Sequence, residues 1–260
     1  LREDHKRVLM GRGYQVLPLV YDRWQRSYGK DYSTLILPRV LASVRRHGTS
    51  DRTMVDLACG TGTLALSMAR RGWRTWGVDA SPLMVEEASQ KRRPARLAGF
   101  LRQDMRDLHL PERVHLATCL FDSLNHLRSA RELSQTFGAV ADTLHDGGLF
   151  LFDLNTERCY RTLWTGTQAV HHHDFTLLMQ NSYEARRTTA HSLVTVFLRR
   201  RREFQRFTEV VQERFFPNDI VSSLLRKCGF RVLHHEEFNF TKIREVGDIK
   251  SWWVARKAVR

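Results

Sequence analysis

The chain has 260 residues, enough to bury a full core as one domain, with or without a lid and without staples. Lysine and arginine outnumber aspartate and glutamate by 42 to 28, a formal net charge of +14. No run of about 18 apolar residues occurs, so no membrane-spanning helix is expected.

The N-terminal stretch Leu1 to Arg7 is charged and lacks the apolar core of a secretory signal. Cys59, Cys119, Cys159 and Cys228 show no paired spacing, which argues against a disulfide framework or a zinc site. A cytoplasmic protein is the expectation. Lysine stands at only seven positions, so arginine carries most of the positive charge. Basic stretches at 45–52, 91–96 and 199–202 are scattered rather than gathered. A solvated, charge-rich surface is therefore the expectation, with a polyanion-binding face as the alternative.

Residues 1–50 read as two helices. One ends near Tyr28 and Gly29. The other runs from Tyr32 through Leu35, Leu37, Val40, Leu41 and Val44, a spacing that packs one face beside a sheet. Val55 to Cys59 then form a short apolar run that carries one acid, turns on Gly60 and Gly62, and enters a helical pattern at Leu64. Strand, tight loop and helix is the arrangement that holds a nucleotide against loop backbone and a helix N-terminus. Glycine at 60 and 62 removes Cβ atoms that would keep a ligand from the loop. Asp56 would repel a diphosphate but not a ligand carrying an ammonium and a sulfonium. The third glycine of a dinucleotide fingerprint is also missing, because Ala65 stands there. The loop argues for S-adenosylmethionine and against NAD.

Arg74 to Val78 alternate and end at Asp79, 23 residues after Asp56. An acid at the end of a second strand accepts hydrogen bonds from ribose hydroxyls. Residues 99–103 lead to Asp104, placed where an adenine amino group needs an acceptor. Residues 116–121 are a fourth apolar run, followed by Asp122, Ser123, Leu124, Asn125 and His126. Residues 148–153 are a fifth, after a Gly147–Gly148 pair expected to end the preceding helix. From Asn155 the pattern changes, with 175–180, 192–199 and 207–216 reading as strands of an antiparallel insertion. Pro217 opens a helix with Asn218 or Asp219 as its cap, ending at Cys228–Gly229. Residues 231–238 and 251–257 supply the last two strands.

The expected fold is α/β: a Rossmann-like doubly wound sheet, mostly parallel with an antiparallel last strand, plus an antiparallel β insertion forming a lid. The expected division is 1–50 as helices over the cofactor mouth, 51–155 as the cofactor core, 156–216 as the lid, and 217–260 completing the sheet.

These motifs resemble those of the class I S-adenosylmethionine-dependent methyltransferases, and the resemblance covers nearly the whole chain. VDLACGTG at 55–62, VDAS at 78–81 and QDMRDL at 103–108 resemble that family's first three motifs. YDRWQRSYGKDY at 21–32 and TCLFDSLNHL at 118–127 look like segments of amino-sugar N,N-dimethyltransferases. The same segments resemble a broad group of small bacterial methyltransferases. The resemblance implies S-adenosylmethionine as cofactor and S-adenosylhomocysteine as product. It places Asp56, Ala58, Gly60 and Gly62 at the methionine part, Asp79 and Ala80 at the ribose, and Asp104 with Met105 at the adenine. It adds Leu120 and Phe121 to the cofactor set, and has Tyr21 and Tyr32 close over the methionine carboxylate.

Methyl transfer asks mainly for in-line alignment and exclusion of water. A base is needed where the acceptor must lose a proton. His126, five residues beyond the fourth strand at the sheet's carboxyl edge, is the candidate, with an ordinary pKa of about 6.5 that suits the task. The alternative is that it only starts the next helix. Asp122, Asp153 and Asn155 resemble the magnesium site of catechol O-methyltransferases, yet Asp and Asn are also common turn starters at strand ends, and no metal is expected. His171, His172 and His173 with Asp174 would alternate in direction on an extended segment and so fail to converge on one ion. Cys119, Trp252 and Trp253 read as core or edge packing.

The combined reading is a methyltransferase acting in line on nitrogen or oxygen of a small molecule, as a monomer or homodimer, with no membrane association. A tRNA or rRNA methyltransferase is the second reading, and nucleic acid the less expected partner. A non-catalytic cofactor-binding regulatory protein is the third.

Overall fold

The computed structural model describes residues 16–27, 31–201, 203–241 and 244–259. The expected end of the first helix, at Tyr28–Gly29, lies outside them. In chain order, the elements begin with a 3-10 turn at Leu17–Leu19 and helices α1 (Tyr21–Ser27) and α2 (Tyr32–His47). β1 (Thr53–Leu57), α3 (Thr63–Arg70), β2 (Arg74–Asp79), α4 (Pro82–Gln90), β3 (Leu97–Arg102) and β4 (Val114–Cys119) follow. A 3-10 turn at Ser123–His126 leads to α5 (Ala130–Thr143), β5 (Leu144–Asn155) and α6 (Glu157–Leu163). The remaining elements are β6 (Gly166–His171), β7 (Phe175–Glu184), β8 (Thr189–Arg200), β9 (Glu203–Arg214), α7 (Asn218–Lys227), β10 (Phe230–Phe238) and β11 (Lys250–Lys257).

Helix starts follow local chemistry. Asp31, Ser81, Ser129 and Thr156 each accept a backbone N–H from three residues on, capping α2, α4, α5 and α6. The large sheet runs β10-β11-β5-β4-β1-β2-β3. β1 to β5 are parallel, and β11 is antiparallel to both β5 and β10. The strand order reverses between β1 and β4, so a cleft opens there at the carboxyl ends. Helices cover both faces. Phe137, Phe150, Phe152, Phe230 and Trp253 anchor one layer of the core, while Met54, Leu116, Leu151 and Trp252 anchor the other.

The second sheet, β6-β7-β8-β9, is antiparallel throughout. Its inner face, with Phe175, Leu177, Val194, Val196 and Val211, packs on Val16, Leu17 and Val20. Glu209, fully buried on that face, accepts the N–H groups of Val16 (3.3 Å) and Leu17 (3.1 Å). Among the described residues no helix is long and apolar enough to cross a membrane.

Four local expectations are corrected. β6 was not expected, because its residues are almost all exposed and carry no apolar alternation. The Gly147–Gly148 pair does not end a helix: α5 stops at Thr143 and β5 starts at once. Gly147, at φ +78°, sits where the pairing with β4 shifts register. α7 is capped by neither Asn218 nor Asp219, since Pro217 holds the cap position and the Asn218 amide donates to Glu237 (2.9 Å). Finally, His172 to Asp174 form the turn between β6 and β7 rather than an extended run, so the alternation argument does not apply. One ligand atom from each of His172, His173 and Asp174 lies within 4.8 Å of the others. Asp174 is nonetheless ion-paired with Arg23, which ties α1 to this turn.

Candidate functional site

On the β1–β3 side, the loop after β1 turns through three left-handed residues, Ala58 (φ +49°), Gly60 (φ +54°) and Gly62 (φ +78°). The two glycines differ in what surrounds them. Among the described residues a Cβ at Gly60 would meet only Met84 Sδ and Tyr21 Cε1, both at 3.9 Å, an ordinary contact distance, so the loop there is uncrowded beside the Tyr21 ring. At Gly62 it would strike the Phe100 ring at 2.6 Å. Gly62 is thus a packing glycine, not one that clears a ligand path. Asp79 stands at the end of β2, its two oxygens accepting the N–H of Gly60 (2.9 Å) and of Ser81 (2.8 Å). A carboxylate has about four acceptor positions, so capacity for two ribose hydroxyls remains. Burial raises its pKa despite those bonds.

Asp56 is only 3% exposed and accepts the Thr118 hydroxyl (2.7 Å). Burial pushes its carboxyl up to about 7. It braces β1 against β4 beneath the loop instead of facing the cleft openly. Asp104 is held on both oxygens by the Arg106 guanidinium (2.9 and 2.6 Å), which also reaches Glu132 (2.9 Å). Met105 packs at the margin of the core, Leu120 lies within it, Ala58 is half-buried and Ala80 is exposed. Asp22 of α1 accepts the Thr61 hydroxyl (2.5 Å) and pairs with Lys91 (2.6 Å), fastening α1 over the loop. The uncrowded backbone at Gly60, the acceptor Asp79 and the neighbouring Tyr21 ring fit an adenosine ligand bearing a positive charge.

On the β4–β5–β11 side, Phe121 and Asp122 are consecutive non-glycine residues in the left-handed region, at φ +60° and +51°. Each costs roughly 1–2 kcal/mol and is kept only where its surroundings demand it. Here Asp153 makes that demand. Its carboxylate accepts the N–H of Phe121 (2.9 Å) and Asp122 (2.7 Å), the Tyr32 hydroxyl (2.8 Å) and the Lys250 ammonium (3.1 Å). Lys250 Nζ also reaches Asp122 Oδ1 at 2.5 Å. Lys250 is 2% exposed; burial opposes its charge, yet Asp122 and Asp153 hold its pKa above the ordinary lysine value. The acids that resembled a magnesium set are therefore already bridged by an ammonium.

Tyr32 is committed to Asp153, with its ring stacked on Phe121 at 4.8 Å, so of the two tyrosines only Tyr21 borders the Gly60 loop. His126 closes the 3-10 turn. Its Nδ1 lies 3.3 Å from the Gln212 carbonyl of β9, and its Nε2 lies 3.9 Å from Glu213. A carbonyl only accepts, so Nδ1 carries the proton and the neutral ring has its lone pair on Nε2. Burial lowers the His126 pKa while Asp122 opposes that shift. Glu213 Oε2 accepts from Tyr160 (2.8 Å) and Asn155 (2.9 Å), and burial next to Asp122 holds its pKa well up.

Sequence reasoning missed Lys250, Glu213, Tyr160 and Asp22. Two of them leave a trace. Lys250 follows Ile249 and stands two residues before the apolar run Trp252 to Ala255. Glu209, Val211 and Glu213 alternate on one face of β9, which puts two acids inward beside a buried valine.

The fold and the loop define a Rossmann-like protein with a cleft for an adenosine ligand. Residues 54–148 match the methyltransferase domain family. The Bacillus subtilis (strain 168) protein YqeM, a methyltransferase by provisional name, is 28% identical over 72% of this chain and 76% of its own length. A Streptomyces fradiae enzyme, dTDP-3-amino-3,6-dideoxy-alpha-D-glucopyranose N,N-dimethyltransferase, is 33% identical over 49% of each chain, so this match spans about half of that relative. An S-adenosylmethionine-dependent methyltransferase structure from Clostridium acetobutylicum ATCC 824 shares the fold, with a TM-score of 0.73 at 22% identity over 93% of this chain and 97% of that one. Residues 54–148 thus carry a methyltransferase domain, and the fold is one that S-adenosylmethionine-dependent methyltransferases share.

Proposed function

We propose that this enzyme methylates a nitrogen of a small-molecule amine, with an amino sugar as the acceptor class. The reading rests on His126: its ring is oriented by the Gln212 carbonyl, its Nε2 carries the lone pair, and Asp122 stands close enough to support its charged form. The amino-sugar acceptor named for the Streptomyces fradiae relative supports the same class.

S-adenosylmethionine supplies a methyl group already activated by the sulfonium. Asp79 accepts the ribose hydroxyls, the Gly60 loop and Tyr21 border the methionine part, and Asp104 with the Met105 amide edges the adenine. Tyr32 acts indirectly, through Asp153. His126 Nε2 takes the proton that an acceptor ammonium must shed before its nitrogen can attack. The second sheet and α1 cover the cleft and keep water out.

The test is an acceptor panel at saturating cofactor, with amino sugars and their nucleotide-linked forms set against counterparts bearing only hydroxyls. Mass gain of one or two methyl groups on the amines alone is expected. His126→Ala is expected to lower kcat by about 10²–10⁴ with cofactor affinity unchanged. Methylation of the hydroxyl compounds alone would move the reading to oxygen, and methylation of neither set would remove the acceptor class.

A further inference from the structure

The histidine run 171–173 has no part in the methyl-transfer site, and the β6–β7 turn sorts its members. His171, the last residue of β6, points its Nδ1 at the Thr176 hydroxyl across the hairpin (3.2 Å). His172 and His173 stand in the turn with Asp174. Their Nδ1 atoms lie 2.5 and 3.9 Å from the same oxygen, Asp174 Oδ1. The other carboxylate oxygen, Oδ2, is taken by the Arg23 guanidinium. The turn is held by its own bonds. His172 N–H donates to the Phe175 carbonyl (2.8 Å), and Arg199 N–H donates to the Asp174 carbonyl (2.8 Å). The His172 ring stacks on buried Phe175, with centroids 5.1 Å apart.

We propose that His172, His173 and Asp174 form a binding site for a divalent transition ion of the zinc class, which staples the β6–β7 hairpin. One ligand atom from each residue lies within 4.8 Å of the others. Two ligands bonded at about 2.0–2.1 Å to a tetrahedral ion stand roughly 3.3 Å apart, a spacing that small side-chain rotations reach from here. Two imidazoles and one carboxylate oxygen are donors that zinc takes, whereas magnesium and calcium prefer oxygen alone. Solvent completes the shell beside the His173 side chain, which is 81% exposed. Arg23 occupies Oδ2 and so aims Oδ1 at the two rings, as partners behind a metal ligand do. Binding exchanges the His172–Asp174 hydrogen bond for two bonds to the ion. Each neutral ring then carries its proton on Nε2 and offers the Nδ1 lone pair, and no proton is lost. The staple answers a weakness of the hairpin. β6 is exposed along almost its whole length and buries little apolar surface, while a filled turn ties it to β7 and, through Arg23, to α1.

The experiment is calorimetric titration of the full chain, free of any affinity tag, with zinc. One zinc per chain at micromolar or tighter affinity is expected. His173→Gln and Asp174→Asn should each weaken it at least about tenfold, and His171→Gln should leave it unchanged. Absence of saturable binding, affinity that survives either of the first two substitutions, or an equal loss in His171→Gln would overturn the site. The melting midpoint should rise with zinc in the wild type and not in His173→Gln, and zinc bound without any rise would overturn the stapling role. Asp174→Asn also breaks the Arg23 pair. Should that variant fail to fold, X-ray absorption of the wild type loaded with one zinc decides instead. A shell of nitrogen and oxygen that contains two imidazoles is expected, and a shell with sulfur or with fewer than two imidazoles overturns the proposal.

Discussion

On the β1–β3 side of the cleft, Gly60 reaches Asp79 across 19 residues of chain; on the β4–β5–β11 side, Lys250 reaches Asp122 across 128. The first side is a local β-α-β unit whose ribose-side acid, Asp79, is satisfied by nearby backbone N–H groups. The second is assembled from β4, β5, β9 and β11, and its acids add to two backbone N–H groups a single buried ammonium and a few side-chain donors drawn from distant strands. Backbone amides hold Asp79 wherever the loop forms. Lys250 holds Asp122 and Asp153 only once the antiparallel strand is in place. The two halves of one cleft should therefore respond differently to the loss of a single partner.

The largest expected effect breaks the long-range half. Lys250→Met leaves Asp122 and Asp153 buried without their cation, and removal of one partner from such a cluster costs about 3–5 kcal/mol. Denaturant unfolding should show that loss; one below about 1 kcal/mol would erase the contrast between the two sides.

Asp56 gives the local half its own electrostatic signature. Its folded pKa, about 7, lies above the ordinary carboxyl value, so the folded state holds this proton more tightly than the unfolded chain. The stability it contributes is complete below about pH 4 and is lost as pH rises through about 7. Asp56→Asn should therefore match the wild type near pH 4 and exceed it above pH 8 by up to about 4 kcal/mol. Unfolding curves at both values check the sign, and a wild type that gains on the variant with rising pH would refute it.

Within the loop the two glycines should separate. Gly62→Ala drives a Cβ into Phe100 and strains a left-handed residue, at an expected cost of about 2–3 kcal/mol. Gly60→Ala should cost about 1 kcal/mol in stability, since only the backbone is strained, while weakening cofactor binding. Paired melting and binding curves distinguish them, and equal losses of stability would refute the split.

Much of this architecture was legible in the sequence because its signals are local. The Gly60 loop, Asp79 at the end of β2, the parallel core and the antiparallel β11 all follow from short runs read in order. Pattern alone did not show that Gly62 serves Phe100, because the ring comes from β3 and its direction depends on sheet register. Nor could spacing show that Tyr32 would turn to Asp153, or that Asp122 and Asp153 would share Lys250. Those contacts depend on how β11 inserts beside β5 and how β9 meets the turn at His126. β6 escaped notice for a plainer reason: an exposed edge strand buries too little to leave a periodic signal.

The most direct measurement is calorimetric titration of wild type and Asp79→Ala with S-adenosylmethionine, S-adenosylhomocysteine and NAD. Binding of the first two at one site, weakened at least tenfold in the variant, or about 1.4 kcal/mol, is the expected result. Preference for NAD, or equal affinity in wild type and variant, would contradict the assignment of this cleft.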